Sequence, residues 1–136
     1  MNDHAIIVTA ADAQKLQELI RNAQHGEYRQ SKYLEMLSGE LARATIIDKG
    51  AVPQDVITMH SQAVLTEIDT GEELELTLVF PNEADPIEGK ISVFAPIGTA
   101  MLGYRVGDVF EWETPGGMQR LRVEKVMPGT GESSEM

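Results

Sequence analysis

The feature that most restricts what this chain can fold into is residues 91–126, ISVFAPIGTAMLGYRVGDVFEWETPGGMQRLRVEKV. Ile91 and Val93 belong to a strand that Ala95-Pro96 ends. Residues 98–102 are enough for one helical turn. Gly103 and the Gly107-Asp108 pair are positions where a chain takes positive φ and reverses. Residues 109–114 alternate, Pro115-Gly116-Gly117 turns, and residues 119–126 alternate again. The segment therefore reads as strand, turn, short helix, turn and a two-strand hairpin.

Upstream, period two continues. Val56 and Thr58, with Met59 near by, and residues 63–68 read as the first strands. Asp69-Thr70-Gly71-Glu72 is a turn, and Leu74, Leu76 and Leu78 alternate with Glu75 and Thr77. Residues 82–90 are a polar, acidic loop. Before Val52-Pro53 the period changes. Residues 4–8 are a short strand or a cover for the base of a helical hairpin. Thr9 is a helix N-cap, with Asp12 favouring the positive helix end. Ala13, Leu16, Ile20 and Ala23 then recur at spacings of three and four. After a polar break containing Gly26, Ser31 caps a second helix with Leu34, Leu37, Leu41 and Ala44 on one side. Asp48-Lys49-Gly50 ends it. Two helices of about 15 residues, each about 22 Å long, predict an antiparallel helical hairpin. Their narrow stripes favour a hairpin that protrudes over one packed flat on the core. The expected fold class is α+β: residues 1–50 a helical hairpin (a short coiled coil), residues 51–127 an antiparallel sheet domain with one short helix, and residues 128–136 a disordered Gly-, Ser- and Glu-rich tail.

Charge divides the same way. Residues 9–47 carry five acids and five bases, whereas residues 48–136 carry sixteen acids and six bases, and the chain's net charge is −11. An acidic C-terminal part repels phosphate backbones, so direct, stable nucleic-acid binding is not expected. A basic protein partner is compatible with it. There is no cysteine, hence no disulfide framework and no thiolate ligand or nucleophile. No apolar run approaches the roughly 20 residues of a membrane span, and residues 1–10 lack the pattern of a secretory signal. A cytoplasmic, monomeric protein without membrane attachment is expected.

Catalytic patterns are sparse. His4, His25 and His60 have no metal-ligand spacing, and Gly98, Gly103 and Gly107 do not make a phosphate-binding loop. Glu73 with Glu75, and Glu111 with Glu113, fall on the wet faces of strands. The tip between the helices, with His25, Glu27, Tyr28 and Arg29, sets one acid beside one base, a poor holder for a catalytic metal. No catalytic residue, cofactor or metal is expected, and the chain does not read as an enzyme.

The segments APIGTAMLGYRVGD and EWETPGG resemble the C-terminal half of the Gre-type transcript-cleavage factors and of the Rnk (regulator of nucleoside diphosphate kinase) family. DVITMHS and LVFP resemble Rnk more than Gre. The resemblance implies a helical hairpin followed by a domain of the FK506-binding-protein (FKBP-like) fold, docked on RNA polymerase at the mouth of its secondary channel. In Gre factors a long hairpin with acidic residues at its tip helps bind the magnesium that cleaves backtracked RNA. Here the hairpin is shorter and its tip lacks the acidic cluster, so the resemblance implies polymerase binding without cleavage. The alternative is a Gre-like cleavage factor that supports magnesium-dependent RNA cleavage. An FKBP-like fold also raises prolyl isomerisation, but Phe80, Phe94, Tyr104, Phe110 and Trp112 are about what a small core consumes.

The expected polymerase-binding segment is Pro96, Ile97, Gly98, Met101, Leu102, Gly103 and Tyr104, with Asp108 either capping the turn or meeting a basic partner group. Ile97 and Leu102 could equally plug one end of the sheet. Met101→Asp separates the readings: lost binding in a folded protein marks a surface, and unfolding marks a core.

Overall fold

The computed structural model describes residues 6–23, 32–48, 55–114 and 116–127. The chain runs β1 (Ile7–Thr9), α1 (Ala10–Ala23), α2 (Lys32–Ala42), β2 (Thr45–Ile47), β3 (Gln62–Glu67), β4 (Glu73–Val79), β5 (Lys90–Ser92), α3 (Pro96–Met101), β6 (Val109–Thr114) and β7 (Gly117–Met127). Two 3-10 turns, Pro81–Glu83 and Pro86–Glu88, lie between β4 and β5.

Thr9 begins α1 as its spacing predicts: the Asp12 amide donates to Thr9 Oγ1 at 3.2 Å, filling one of the unpaired donors of the first turn. Helix α1 buries Ala13, Leu16 and Ile20, and α2 buries Leu34, Leu37 and Leu41. These side chains join one apolar cluster with Ile57, Met59, Phe80, Met101 and Leu102. The described turns are therefore seated on the body of the protein. The tip residues His25, Glu27, Tyr28 and Arg29 lie outside the described residues, as does the tail over 128–136.

The second helix ends earlier than Asp48-Lys49-Gly50 predicts. It stops at Ala42, and Thr45–Ile47 forms β2, parallel to β1 with Ile7 opposite Thr45. The β-branched run Thr45-Ile46-Ile47 favours extended backbone. A hydrogen bond from the Thr45 amide to the Ile6 carbonyl, at 2.9 Å, continues the pairing.

The main sheet has the order β5-β4-β3-β7-β6. It is mixed, not wholly antiparallel: β5 runs parallel to β4 at one edge. The two 3-10 turns between β4 and β5 carry the chain back to start a strand in the same direction. Leu65 and Leu78 are buried on the core face, and Glu73 and Glu75 are exposed on the other, as their alternation requires. Residues 56–59 are not a strand. Val56 makes a single bridge with Arg105, and residues 58–61 form a tight turn. There the Ser61 hydroxyl accepts from the Thr58 amide at 2.9 Å and lies 3.1 Å from Thr58 Oγ1. Such hydroxyls compete with a strand's own backbone pairing.

Candidate protein-docking site

The glycine-punctuated segment wraps one end of the sheet. Pro96 occupies the first turn of α3, where its missing N–H is no loss. The Ala95 amide donates to Ser92 O at 3.0 Å, and the buried Thr99 hydroxyl donates to Val93 O at 2.7 Å. Gly98 is demanded by proximity: a Cβ there would lie 2.0 Å from Ser92 O and 2.9 Å from Ser92 C. The helix thus rests directly on the backbone at the end of β5. Beyond it, the Gly103 amide donates to Ile57 O at 2.9 Å.

A turn follows. Asp108 Oδ2 accepts from the Arg105 amide at 2.9 Å, and the Asp108 amide donates to Arg105 O at 2.9 Å. Gly107 between them takes φ 94°, a conformation open to glycine. Asp108 therefore caps this turn while its side chain keeps partial exposure.

Burial sorts the candidate residues. Met101 and Leu102 are 0% exposed and Ile97 is 9% exposed, and Gly98 and Gly103 are buried too. Their side chains and backbone build the end of the core. Pro96, Tyr104 and Asp108 reach the surface in part, beside the exposed Val106 and Val109. Tyr104 stacks on Phe110 with ring centroids 4.9 Å apart and 17° between planes. Arg105 Nη1 lies 3.4 Å from Asp55 Oδ1; both groups are more than half exposed, so this pair contributes little to stability. The aromatic residues are consumed as the composition implies: Phe80, Phe94 and Phe110 are buried, and Tyr104 and Trp112 pack against the core. Trp112 Nε1 is buried without a hydrogen-bond partner.

A second cluster, which the pattern of residues did not reveal, joins α1 to the sheet. His60 Nε2 is 2.9 Å from Glu83 Oε1, which also accepts from the Phe80 amide at 3.1 Å. Burial alone would raise the Glu83 carboxyl. The hydrogen bonds from His60 and Phe80, with the charges of His60 and Lys15, outweigh it and hold Glu83 below the usual range. Asp12, on α1, is shifted the other way: burial raises it, only partly offset by His60, the Thr9 hydroxyl and Lys15. Among the described residues no group of three or more His, Asp or Glu side chains is placed to hold a metal ion, and no helix is long and apolar enough to cross a membrane.

A helix pair that shares one apolar core with a mixed five-stranded sheet, with a turn-and-helix segment at one end, makes this an α+β protein. Residues 52–128 match the family described as "Transcription elongation factor, GreA/GreB, C-term", and residues 4–47 match "Rnk N-terminus". The chain is 35% identical over 118 residues to the "Regulator of nucleoside diphosphate kinase" of Escherichia coli K12, covering 87% of this chain and 85% of that protein. It is 34% identical over 116 residues to the "Transcription elongation factor GreA" of Thermodesulfovibrio yellowstonii, covering 82% and 73%. A solved structure, "Prokaryotic transcription elongation factor GreA/GreB from Nitrosomonas europaea", superposes with a TM-score of 0.79 at 35% identity, covering 93% of this chain and all of that one. The chain belongs to the Gre/Rnk family of transcription elongation factor-like regulators.

Proposed function

We propose that this chain is an RNA polymerase-binding transcription regulator of the Rnk type, which docks at the mouth of the secondary channel and does not stimulate transcript cleavage. The observation that carries this reading is the union, in one chain, of an Rnk N-terminus over 4–47 with a GreA/GreB C-terminal region over 52–128. In this reading the sheet unit is an FKBP-like docking domain and the helix pair a short coiled coil. Residues 10–42 have to supply both helices and their connection, so each arm of the pair reaches at most about 25 Å. The tip between them has the sequence QHGEYRQS, with one acid next to one tyrosine and an arginine. Cleavage support requires both reach and a cluster of acids, so a short, nearly neutral pair acts by occupying the channel.

Docking uses the accessible part of the end segment: Pro96, Tyr104 and Asp108, with Ile97, Gly98, Met101, Leu102 and Gly103 holding them in place. The acidic C-terminal part suits a basic protein surface. Any influence on nucleoside diphosphate kinase, the enzyme in the name of the E. coli relative, follows in this reading from altered transcription. The test is competition with a Gre factor for core RNA polymerase. Displacement supports docking at the secondary channel. Stimulated RNA cleavage in stalled elongation complexes would replace this reading with the Gre-like one, and absence of binding by folded protein would remove the polymerase as partner.

A further inference from the structure

His60 is the one non-glycine residue with positive φ among the described residues, at 71°. Histidine enters this region more readily than most residues, yet glycine and asparagine fit it at least as well. The turn does not need the imidazole. Its backbone is closed by the Thr58 and Ser61 hydroxyls and by the His60 amide, which donates to Leu78 O at 2.6 Å. The ring is used outside the turn instead. Its Nε2 meets Glu83, and its edge meets the Phe80 ring at 5.4 Å between centroids and 68° between planes. On the α1 side, Lys15 Nζ stands 4.5 Å from the Phe80 centroid, a cation–π distance. Asp12, three residues earlier and so on the same side of the helix, is within electrostatic range of His60 and Glu83.

The helix pair thus has two unlike attachments. Helix α2 packs against α3 and adds its leucines to the apolar cluster. Apolar contact of this kind is non-directional. Helix α1 gives Ala13, Leu16 and Ile20 to the same cluster and adds a directional contact, Lys15 over the Phe80 ring, which in turn meets His60. The apolar contact shared by both helices does not by itself select an angle, and the directional contact under α1 does.

We propose that Lys15, His60, Phe80 and Glu83, with Asp12 beside them, form a latch that sets the angle at which the helix pair stands on the sheet. They are positioning residues. The proposal rests on the polymerase-docking reading for its purpose: a sheet unit docked on a partner carries the helices to one place only if this angle is held.

The test is a distance measurement by electron–electron double resonance. The chain has no cysteine, so Glu35→Cys and Glu111→Cys, at exposed positions on α2 and β6, take spin labels without interference. The labelled parent should give one narrow distance distribution. Lys15→Met, which keeps the unbranched stem and removes the charge, and His60→Asn, which suits the turn's φ and removes the imidazole, should each broaden or split it while far-UV circular dichroism is unchanged. Unchanged distributions in the folded variants would overturn the latch. If His60→Asn does not fold, Lys15→Met decides. Competition with a Gre factor keeps the two ideas apart. Loosening in a protein that never binds polymerase overturns the docking reading alone. An unchanged distribution in a protein that does compete overturns the latch alone.

Discussion

The end segment over residues 92–108 and the helix pair are held to the same sheet by different means. In the end segment the backbone itself is in contact: Gly98 lies against Ser92, the Gly103 amide against Ile57, and the turn at Arg105 is closed by Asp108. The helix pair, whose own two ends are joined by the β1–β2 strand pair, touches the body with side chains, through an apolar stripe and the Lys15–Phe80 contact. Backbone-on-backbone packing leaves no rotamer to adjust, so changes there act almost all-or-none. Side-chain packing yields by degrees.

Met101→Asp should give the largest effect. Met101 is 0% exposed, and burying an unpaired carboxyl while removing an apolar side chain is expected to destabilise by more than about 4 kcal/mol. Urea denaturation should find the variant largely unfolded; a folded variant would place Met101 at a surface after all. On the helical side, Leu37→Ala should cost about 2–5 kcal/mol, the range for a fully buried leucine. Because Leu37 shares one cluster with the sheet residues, helix signal by circular dichroism and fluorescence of the single tryptophan, Trp112, should fall in one transition. Separate transitions would show the two regions to be independent. Gly98→Ala should cost about 3 kcal/mol or more, since the added Cβ would lie 2.0 Å from the Ser92 carbonyl oxygen and no side chain can move aside. Loss of nothing at all would mean that α3 slides freely away from Ser92.

The contrast also explains what could be read in the residues. Local chemistry was legible. Thr9 caps α1, Gly107 and Asp108 make their turn, and Leu74, Leu76 and Leu78 alternate as a strand. Tertiary choices were not. Thr45-Ile46-Ile47 follows a helical stripe without a break, and only the presence of β1 beside it makes it a strand. Nothing in TMHS announces a left-handed histidine, because the turn is decided by two hydroxyls meeting each other rather than by glycine or proline. The candidate docking residues were found as a segment, yet which of them face outward depends on the close seat of α3. Glu83 looked like one acid among several in a polar loop. Its partner, His60, is 23 positions away in the chain.

Docking itself can be probed where the end segment is exposed. Pro96→Ala keeps the helix but frees the unfolded chain, which should lower stability by about 0.4–1 kcal/mol. Under the proposed function it should weaken competition with a Gre factor by more than that stability change accounts for. Equal losses in both would move the contact elsewhere on the sheet unit.

The smallest effects belong to the junction at α1, and their signs oppose. Glu83 is depressed in the folded protein. Its contribution is therefore present above the pKa of an unfolded glutamate and is lost as pH falls through the folded value. Asp12 is raised. It therefore destabilises above its folded pKa, and that penalty disappears as pH falls below the unfolded one. The two slopes partly cancel in the parent between neutrality and about pH 4, the ordinary carboxylate range. Removing one titrating group should unmask the other. Glu83→Gln should make the protein gain stability relative to the parent on acidification, and Asp12→Asn should make it lose stability more steeply. Urea midpoints measured for the three proteins across that pH range check both signs, and parallel curves would show that neither carboxylate is coupled to folding at this contact.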